Sequence, residues 1–253
     1  MSAPRRIGNL GGMGPEATVL LMSRLIAATP AQDDADHIPL IVDMNTQVPS
    51  RIAALIEGGG ADPAPVLAAM AKRLEAAGAE ALAMPCNTAH HYAPAIRAAA
   101  AVPFLDMVAL SAAQAASRAG PGGRVGILAS PAVRLTKLFD AALARHGAEA
   151  TYPTDQNAML AAIRDIKRQG RAQSAMDTLA GAGRELANEG ARVQLVACSE
   201  FSIVSDTLAD ELGAIDTLDV LVAAIVRFAR REVETPSSGG AMGAAGQAAA
   251  LGE

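Results

Sequence analysis

The sequence predicts an α/β protein of two similar lobes, each a small parallel sheet flanked by helices, related by a pseudo-two-fold axis. Short apolar runs alternate with longer helical patterns along the chain, as in parallel βαβ units. Two phrases also correspond: Gly78–Thr88 and Gly190–Glu200 each run from a helix-ending glycine through an apolar strand to a cysteine and two polar residues. The cysteines lie 112 residues apart, and the first strands of the two halves 118 residues apart, which indicates homologous halves.

The first half contains four predicted strands and three predicted helices. The strands are short apolar runs bounded by turn residues, and the helices are longer and amphipathic. The strands lie near Arg6–Leu10, Pro39–Met44, Ala81–Met84 and Pro103–Asp106, and the helices near Pro15–Ala28, Pro63–Ala77 and Ala89–Ala99.

The second half repeats this plan. Its strands lie near Arg124–Ala129, Ala148–Tyr152, Gln194–Ala197 and Ala214–Leu218, and its helices near Ala132–Arg145, Asp155–Arg168, Gln173–Glu189 and Ser202–Leu212. We therefore expect residues 1–106 to form an N-terminal lobe and residues 107–218 a C-terminal lobe. A helix over residues 219–233 is expected to pack back on the first lobe. Residues 235–253 are rich in Gly, Ala and Ser and are expected to be disordered.

Composition excludes several classes of function. The chain is 51% hydrophobic and 19% charged, so it can bury a core, and its net charge of −5 without a basic stripe argues against nucleic-acid binding. No apolar run is long enough to cross a membrane, and the start lacks the pattern of a signal peptide. We expect a cytoplasmic protein without membrane contact, in which the two thiols stay reduced.

A glycine-rich turn, Gly11–Thr18, follows the first strand. Its Gly12-x-Gly14-x-x-Ala17 spacing formally fits a dinucleotide-binding turn. Pro15 removes one of the N–H groups such a turn needs, and Asp43 lies about 30 residues further on rather than the usual distance of about 20. The turn is therefore interpreted as a contact to a small substrate through backbone N–H groups.

The other candidate groups follow strand ends. Arg51, beyond the second strand, can clamp a carboxylate with two hydrogen bonds, although a solvated loop explains it equally well. Cys86 and Cys198 each precede a predicted helix N-terminus, where free N–H groups bind a carboxylate and favour a thiolate. Zinc binding by the cysteines with His90 or His91 lacks the paired close spacing of a zinc site, so no metal is expected.

The chain resembles the aspartate/glutamate racemase family, on its aspartate-racemase branch. The phrases that carry the resemblance occur in the family's order between about Ile7 and Arg230: Gly11–Thr18, Pro85–His90 and Cys198–Glu200. The resemblance implies a two-lobed fold, a homodimer, and a reaction that needs neither pyridoxal phosphate nor a metal. It implies that Cys86 and Cys198 exchange protons with Cα of aspartate, glutamate or a related acidic amino acid.

The resemblance also implies roles for the neighbouring side chains. Asn87, Thr88 and Ser199 would hold the α-carboxylate, Glu200 would assist Cys198 or bind the ammonium group, and Arg51 and Lys167 would bind a side-chain carboxylate. The remaining candidate substrate-binding residues are Met13, Gln47 and Ser130.

Two other readings of the sequence remain open. Maleate isomerases and arylmalonate decarboxylases use related folds and one or two cysteines, with a covalent adduct or a decarboxylated carbanion instead of reversible proton exchange. A non-catalytic small-molecule binding protein would retain the cleft without needing both thiols. Neither reading changes the predicted fold.

Overall fold

The structure, a computed structural model, describes residues 3–208 and 212–231 of the chain. The first of two parallel sheets has the strand order β2-β1-β3-β4. Its strands are β1 (Ile7–Gly11), β2 (Leu40–Met44), β3 (Ala81–Ala83) and β4 (Phe104–Leu105), and the helices along this part of the chain are α1 (Pro15–Ala28), α2 (Arg51–Leu55), α3 (Ala64–Ala76) and α4 (Ala93–Ala99).

The second sheet repeats the first, with the order β6-β5-β7-β8. Its strands are β5 (Arg124–Ala129), β6 (Glu149–Thr151), β7 (Val193–Ala197) and β8 (Ala214–Asp216), and its helices are α5 (Met107–Ala119), α6 (Pro131–Leu135), α7 (Leu138–Ala144), α8 (Gln156–Gln169), α9 (Gln173–Asn188) and α10 (Thr217–Arg230). The predicted α/β fold of two like lobes is confirmed.

The two cysteines lie at equivalent places in the two sheets. Cys86 follows β3 and Cys198 follows β7, and each of these strands is third in the order of its sheet. Ligands of parallel sheets bind beyond the carboxyl ends of the strands. The repeated strand order thus brings both thiols to the functional edge of their sheets.

Helix α10 joins the two sheets. It starts directly after β8, and its apolar side chains Leu218, Leu221 and Ile225 are buried in one cluster with Ile7 of β1 and Leu25 of α1. A strongly amphipathic pattern of this kind drives a helix onto an apolar surface. The C-terminal helix therefore packs on the N-terminal sheet and bridges the lobes.

Arg24 of α1 forms a second bridge between the lobes. Its Nη1 lies 2.7 Å from Asp216 Oδ2 and 2.9 Å from Asp219 Oδ1, and its Nη2 donates to the Ser202 carbonyl at 2.7 Å. Burial alone would lower the pKa of Arg24, but the charges and hydrogen bonds of both aspartates raise it. A guanidinium can serve three acceptors at once because its donors form a planar fork.

Helix α5 was not predicted. No element was assigned between 107 and 123, yet the structure has a 13-residue helix there, with the Asp106 carboxylate accepting from Ala109 N–H at its start. Many of its residues are alanine, so the sequence shows a weak contrast between buried and exposed faces.

Two predicted helices are wrong, because the structure does not contain either of them as one continuous α-helix. The helix over Ala132–Arg145 is divided into α6 and α7, with Lys137 in the left-handed region at φ 51° between them. In place of Ser202–Leu212 there are 3₁₀ turns at Phe201–Ile203 and Ser205–Thr207. There the hydroxyls of Ser202 and Ser205 bond to the Asp216 carboxylate, an alternative to continuing the helix. Residues 209–211 and the tail over 235–253 lie outside the described residues.

Gly12 cannot be replaced by alanine without strain. Its φ is +90°, and an added Cβ would lie 2.4 Å from the backbone carbonyl of Asn45. We expect Gly12→Ala to lower the free energy of unfolding by at least about 2 kcal/mol, through the unfavourable φ and the clash. The matched control is Gly181→Ala in α9, where a Cβ meets nothing within 4 Å.

Thermal denaturation checks this pair of variants. Gly12→Ala should lower Tm by roughly 4–8 °C. Gly181→Ala should hold or raise Tm, because alanine favours a helix over glycine by about 1 kcal/mol. Equal stabilities of the two variants would contradict the assigned strain at Gly12.

Candidate active site

Both cysteines are free and almost completely buried. Cys86 is 8% exposed and Cys198 is 6% exposed. Cys86 lies in the apolar cluster of the N-terminal sheet beside Met13, while Cys198 belongs to the cluster formed by α8, α9 and the turns after β7. A thiol in apolar surroundings resists ionisation, so the side chains that touch each sulfur set its reactivity.

Cys198, Glu200 and Lys167 form a connected chain. The Cys198 Sγ donates to Glu200 Oε2 at 3.1 Å, and the Lys167 Nζ lies 3.1 Å from Glu200 Oε1. Burial, followed by the negative charge of Glu200, raises the pKa of Cys198 well above its usual value, and Lys167 opposes this rise. Cys198 is therefore a protonated thiol at neutral pH.

Lys167 connects the two halves of the site. Burial alone would lower its pKa, but the Glu200 carboxylate, and after it Cys198 and Cys86 when ionised, raise it. The ammonium group of Lys167 contacts Glu200, which in turn contacts the Cys198 sulfur. Lys167 comes from α8, so this helix supplies the cation of the site.

The backbone of Cys86 is held by a buried histidine. His90 lies in the 3₁₀ turn Thr88–Tyr92, with Nδ1 2.8 Å from the Cys86 carbonyl. The backbone N–H of Met107 donates to His90 Nε2 at 3.1 Å, so Nδ1 carries the proton and donates to Cys86. Burial lowers the pKa of His90, which keeps this neutral tautomer. Both ring nitrogens are occupied, so the ring has no nitrogen left for a metal.

Four hydrogen bonds form a network where the two lobes meet, and three of them cross from one lobe to the other. Asn87 Nδ2 donates to Thr217 Oγ1 at 2.9 Å, and Thr217 Oγ1 donates to the Val196 carbonyl at 2.9 Å. The hydroxyls of Thr88 and Ser130 share a hydrogen bond of 3.0 Å. Ser199 Oγ donates to the Pro85 carbonyl at 2.8 Å. Polar residues beside both cysteines are thereby brought into one network.

A cleft of about 590 Å³ opens beside this network. Its walls come from the glycine-rich turn, from the loop between β2 and α2, and from the second lobe. Its lining includes Gly12, Glu16, Gln47, Arg51, Lys167 and Glu200. The cysteines do not line this cleft. Glu200 lies between, because it lines the cleft and also touches Cys198.

Arg51 faces the cleft with part of its guanidinium already bonded. Its Nη1 donates to the carbonyls of Pro49 at 3.0 Å and Val48 at 3.3 Å. Ser50 caps α2 by accepting from Ala53 N–H at 3.2 Å, which orders the start of this short helix. Arg51 is thus held in one position by its own loop.

The sequence-predicted residues fall into three groups in space. Gln47, Arg51, Lys167 and Glu200 share the cleft; Asn87, Thr88, Ser130 and Ser199 form the contacts between lobes; Met13 is buried at 3% exposure in the cluster that contains Cys86. Sequence reasoning missed Thr217, His90 as a partner of Cys86, and Glu16. Glu16 and His90 had a signal, since Glu16 stands inside the glycine-rich motif and His90 ends the phrase that contains Cys86.

Thr217→Val tests the network between the lobes. Valine removes the hydroxyl and leaves Asn87 Nδ2 and the Val196 carbonyl buried without their partner, which costs about 1–3 kcal/mol. Chemical denaturation measures this loss. The matched control is Thr178→Val, whose hydroxyl bonds only to Ser174 on the exposed face of α9, and it should stay within about 0.5 kcal/mol of the parent. Equal effects would contradict the buried network.

The described residues bear on metals and membranes as well. In residues 3–208 and 212–231, no three His, Cys, Asp or Glu side chains are grouped as for a metal ion. None of the helices in this part of the chain combines the length and hydropathy that a bilayer crossing requires.

Two like lobes, with a buried thiol after the equivalent strand of each, define a two-lobed α/β protein with cysteines at equivalent positions. The match to a family model agrees with this class. Residues 10–225 match the family described as Asp/Glu/Hydantoin racemase, and the chain belongs to that family. It is therefore an isomerase.

Individual relatives agree. The chain is 25% identical over 237 residues to the broad specificity amino-acid racemase RacX of Bacillus subtilis, covering 87% of this chain and 96% of the relative. The Picrophilus torridus aspartate racemase superposes with a TM-score of 0.79 at 25% identity, covering 89% and 94% of the two chains. The Francisella tularensis glutamate racemase in complex with D-glutamate shares the fold, with a TM-score of 0.61, 16% identity and coverage of 93% and 86%.

Proposed function

We propose that this isomerase inverts Cα of an amino acid by two-base proton transfer between Cys86 and Cys198, without an organic cofactor or a metal ion. The observation that carries the proposal is the equivalent position of the two buried thiols, each just beyond the third strand of its sheet. The hydrogen bond of 2.8 Å from Ser199 Oγ to the Pro85 carbonyl joins the neighbours of the two cysteines, which supports a common site.

The proposed reaction breaks the Cα–H bond on one face and forms a new one on the other. One thiolate takes the α-proton, the electron pair remains on Cα and spreads into the carboxylate, and the opposite thiol donates its proton to the second face. The roles exchange for the other enantiomer. A positioned acid or base contributes a rate factor of about 10²–10⁴.

The two thiols have unequal roles at the start of a turnover. The raised pKa of Cys198 supports its role as the first proton donor, which makes Cys86 the first base. For the opposite enantiomer Cys198 must lose its proton. The Glu200 carboxylate accepts a hydrogen bond from that thiol and is the group placed to receive the proton, with Lys167 balancing its charge.

Neutral donors surround the place proposed for the α-carboxylate. Asn87, Thr88 and Ser130 bring an amide and two hydroxyls to the junction of the lobes. Donors fixed in a dry site stabilise negative charge that develops during the reaction, because they need no reorganisation. Ser199 instead donates to the Pro85 carbonyl, so its contribution to the site is to hold the lobes together.

The sequence-based hypothesis of an acidic substrate rests on Arg51 and Lys167, with Gln47 as a further donor. All three line the cleft. The printed activities of the relatives include aspartate racemase and broad-specificity amino-acid racemase, which supports an amino-acid substrate. Because those activities differ in substrate range, the class of substrate side chain is inferred from the charged residues of the cleft.

The proposal includes a homodimer, as the family resemblance implies, and a cytoplasmic location. The net charge of −5 favours neither nucleic acid nor an anionic membrane surface as a partner. Light scattering at micromolar concentration measures the oligomeric state, and a mass of a single 25.6 kDa chain would contradict the dimer.

A chiral assay in D₂O tests the reaction. We expect L- and D-enantiomers to interconvert with incorporation of one solvent deuteron at Cα, and a chelator should leave the rate unchanged. Deuterium should appear first in the product enantiomer, because the returning proton comes from the opposite thiol. A covalent adduct of substrate mass on either cysteine would support the adduct-forming isomerases instead. Ligand binding without exchange would support a binding protein.

A further inference from the structure

Each cysteine is followed, four residues later, by a buried residue that bonds to its carbonyl. His90 donates from Nδ1 to the Cys86 carbonyl at 2.8 Å, and Ser202 donates its backbone N–H to the Cys198 carbonyl at 3.1 Å. His90 is 4% exposed and Ser202 is 3% exposed. The same spacing after equivalent strands makes His90 and Ser202 equivalent positions of the two lobes.

Both residues also reach the start of the helix that follows the fourth strand of their own sheet. Ser202 Oγ donates to Asp216 Oδ1 at 2.7 Å, and the same oxygen caps α10 by accepting from a backbone N–H of its first turn at 2.9 Å. His90 Nε2 lies 3.9 Å from Asp106 Oδ1, which is too far for a hydrogen bond. It accepts instead from the backbone N–H of the first residue of α5, at 3.1 Å.

These two helix starts are places where the chain crosses from one lobe to the other. Helix α5 follows the N-terminal sheet, yet its residues Ala112 and Ala116 are buried in the core of the second sheet with Ile127. Helix α10 follows the second sheet and packs on the first. The ends of secondary-structure elements absorb the backbone rotation when lobes move. A movement of one lobe against the other therefore reaches His90 and Ser202 directly.

Proton transfer between two thiols places a strict geometric demand on this arrangement. Both thiols must be within reach of Cα at once, and a misplacement of about 1 Å costs up to about 10²-fold in rate. A bonded path from each cysteine carbonyl to a lobe crossing couples the position of each thiol to the closure of the lobes. Arginines hold the aspartates at the far ends of these paths. Arg97 pairs with Asp106. Arg24 pairs with Asp216 at 2.7 Å.

We propose that His90 and Ser202 are equivalent positioning residues, which tie the backbones of Cys86 and Cys198 to the two lobe crossings, so that lobe closure brings both thiols into place together. This inference rests on the proposed racemisation at the two cysteines. The competing account is that both residues only stabilise the fold. Their loss would then lower the free energy of unfolding without a specific effect on either thiol.

Two isosteric substitutions separate the two bonds of His90. Asparagine places an amide N–H near the position of Nδ1 and keeps the donor to Cys86, whereas glutamine places an amide oxygen near the position of Nε2 and keeps the acceptor for α5. Because the path must be continuous, His90→Asn and His90→Gln should each lower kcat about tenfold. The KM should stay within about twofold, because the groups proposed to bind substrate are untouched.

Ser202→Ala and Ser205→Ala form a matched pair in the second lobe. Each removes one hydroxyl bond to the Asp216 carboxylate, at 2.7 Å and 3.1 Å, but Ser202 is also bonded to the Cys198 carbonyl. Ser202→Ala should lower kcat about tenfold, whereas Ser205→Ala should keep kcat within about twofold at a similar loss of Tm.

The alkylation rate of each thiol provides a readout that does not depend on racemisation. Mass spectrometry of the two cysteine peptides after treatment with iodoacetamide measures both thiols in one sample. Loosening the backbone of a buried cysteine raises its access to reagent, so both His90 variants should raise the rate at Cys86 at least about threefold and leave Cys198 within about twofold. Ser202→Ala should do the reverse, and Ser205→Ala should change neither.

The outcomes separate this inference from the proposed function. A loss of kcat together with faster alkylation of the matching cysteine alone supports the inference. Equal acceleration at both cysteines, or equal effects of Ser202→Ala and Ser205→Ala, overturns it while racemisation stands. If the parent exchanges no deuterium, racemisation fails, and the alkylation pattern decides whether the two ties exist. If a His90 variant does not fold, the serine pair decides by the same criteria.

Discussion

Cys86→Ala and Cys198→Ala are each expected to abolish racemisation, lowering kcat by at least about 10³-fold. Each variant removes the acid or the base from one face of Cα, and neither buried thiol has a substitute. The chain contains only these two cysteines, so no third thiol compensates. The measurement is the chiral assay in both directions with a single substrate. A variant that keeps more than about a tenth of parental turnover would refute the two-base mechanism.

Serine substitutions provide the matched control for folding. Cys86→Ser and Cys198→Ser keep the size of the side chain and replace a thiol by a hydroxyl that is a far weaker acid. Both should fold, bind substrate and remain inactive. A small loss of stability is expected, because each hydroxyl enters a site that is less than 10% exposed. Retained ligand-induced stabilisation together with lost turnover would assign the effect to chemistry rather than to folding.

Glu200→Gln and Lys167→Met are expected to shift the ionisation of Cys198 in opposite directions. After burial, the charge of Glu200 is the largest cause that raises the pKa of Cys198, whereas Lys167 lowers it. Removing the carboxylate makes the thiolate form at lower pH, and removing the ammonium group delays it to higher pH. In the direction where Cys198 is the base, the rising limb of kcat/KM against pH moves accordingly.

The pH profile separates this electrostatic role from a structural one. Glu200→Gln should also lower kcat about 10- to 100-fold in that direction, because the group placed to accept the proton of Cys198 is gone. Two variants that merely loosen the site would lose activity at every pH, without opposite displacements. Displacements of the same sign in both variants would contradict the assigned roles.

Local pattern accounts for most of the strands and longer helices. Strands β1, β2, β5 and β7 and helices α1, α3, α8 and α9 lie close to the predicted ranges, because their apolar periodicity and bounding turn residues are properties of short segments. Helix α5 was not predicted, because its alanine-rich sequence weakens that periodicity. The turns after Cys198 depend on hydrogen bonds from Ser202 and Ser205 to Asp216 in β8, so the local sequence does not predict them.

The candidate site divides in the same way. Repetition of a phrase ending in cysteine predicts two thiols at equivalent strand ends, and the motif order identifies the family. Apart from Glu200, which lies two residues from Cys198, the contacts that tune these thiols come from distant parts of the chain. Lys167 reaches Glu200 across 33 residues of sequence, Thr217 reaches Asn87 across 130, and Met107 reaches His90 across 17.

The sequence by itself therefore determined the two-lobed α/β architecture, the two cysteines and the family. These follow from apolar periodicity, the placement of glycines and the order of the motifs, all of which are visible in the amino-acid sequence without a structure. The tertiary structure alone decided that Cys198 is held protonated, that His90 positions the Cys86 backbone, and that Glu16 shares the cleft with Arg51. The physical reason is that a pKa shift or a hydrogen bond depends on burial and on separations of a few ångströms, which exist only once the two lobes and α10 have packed together.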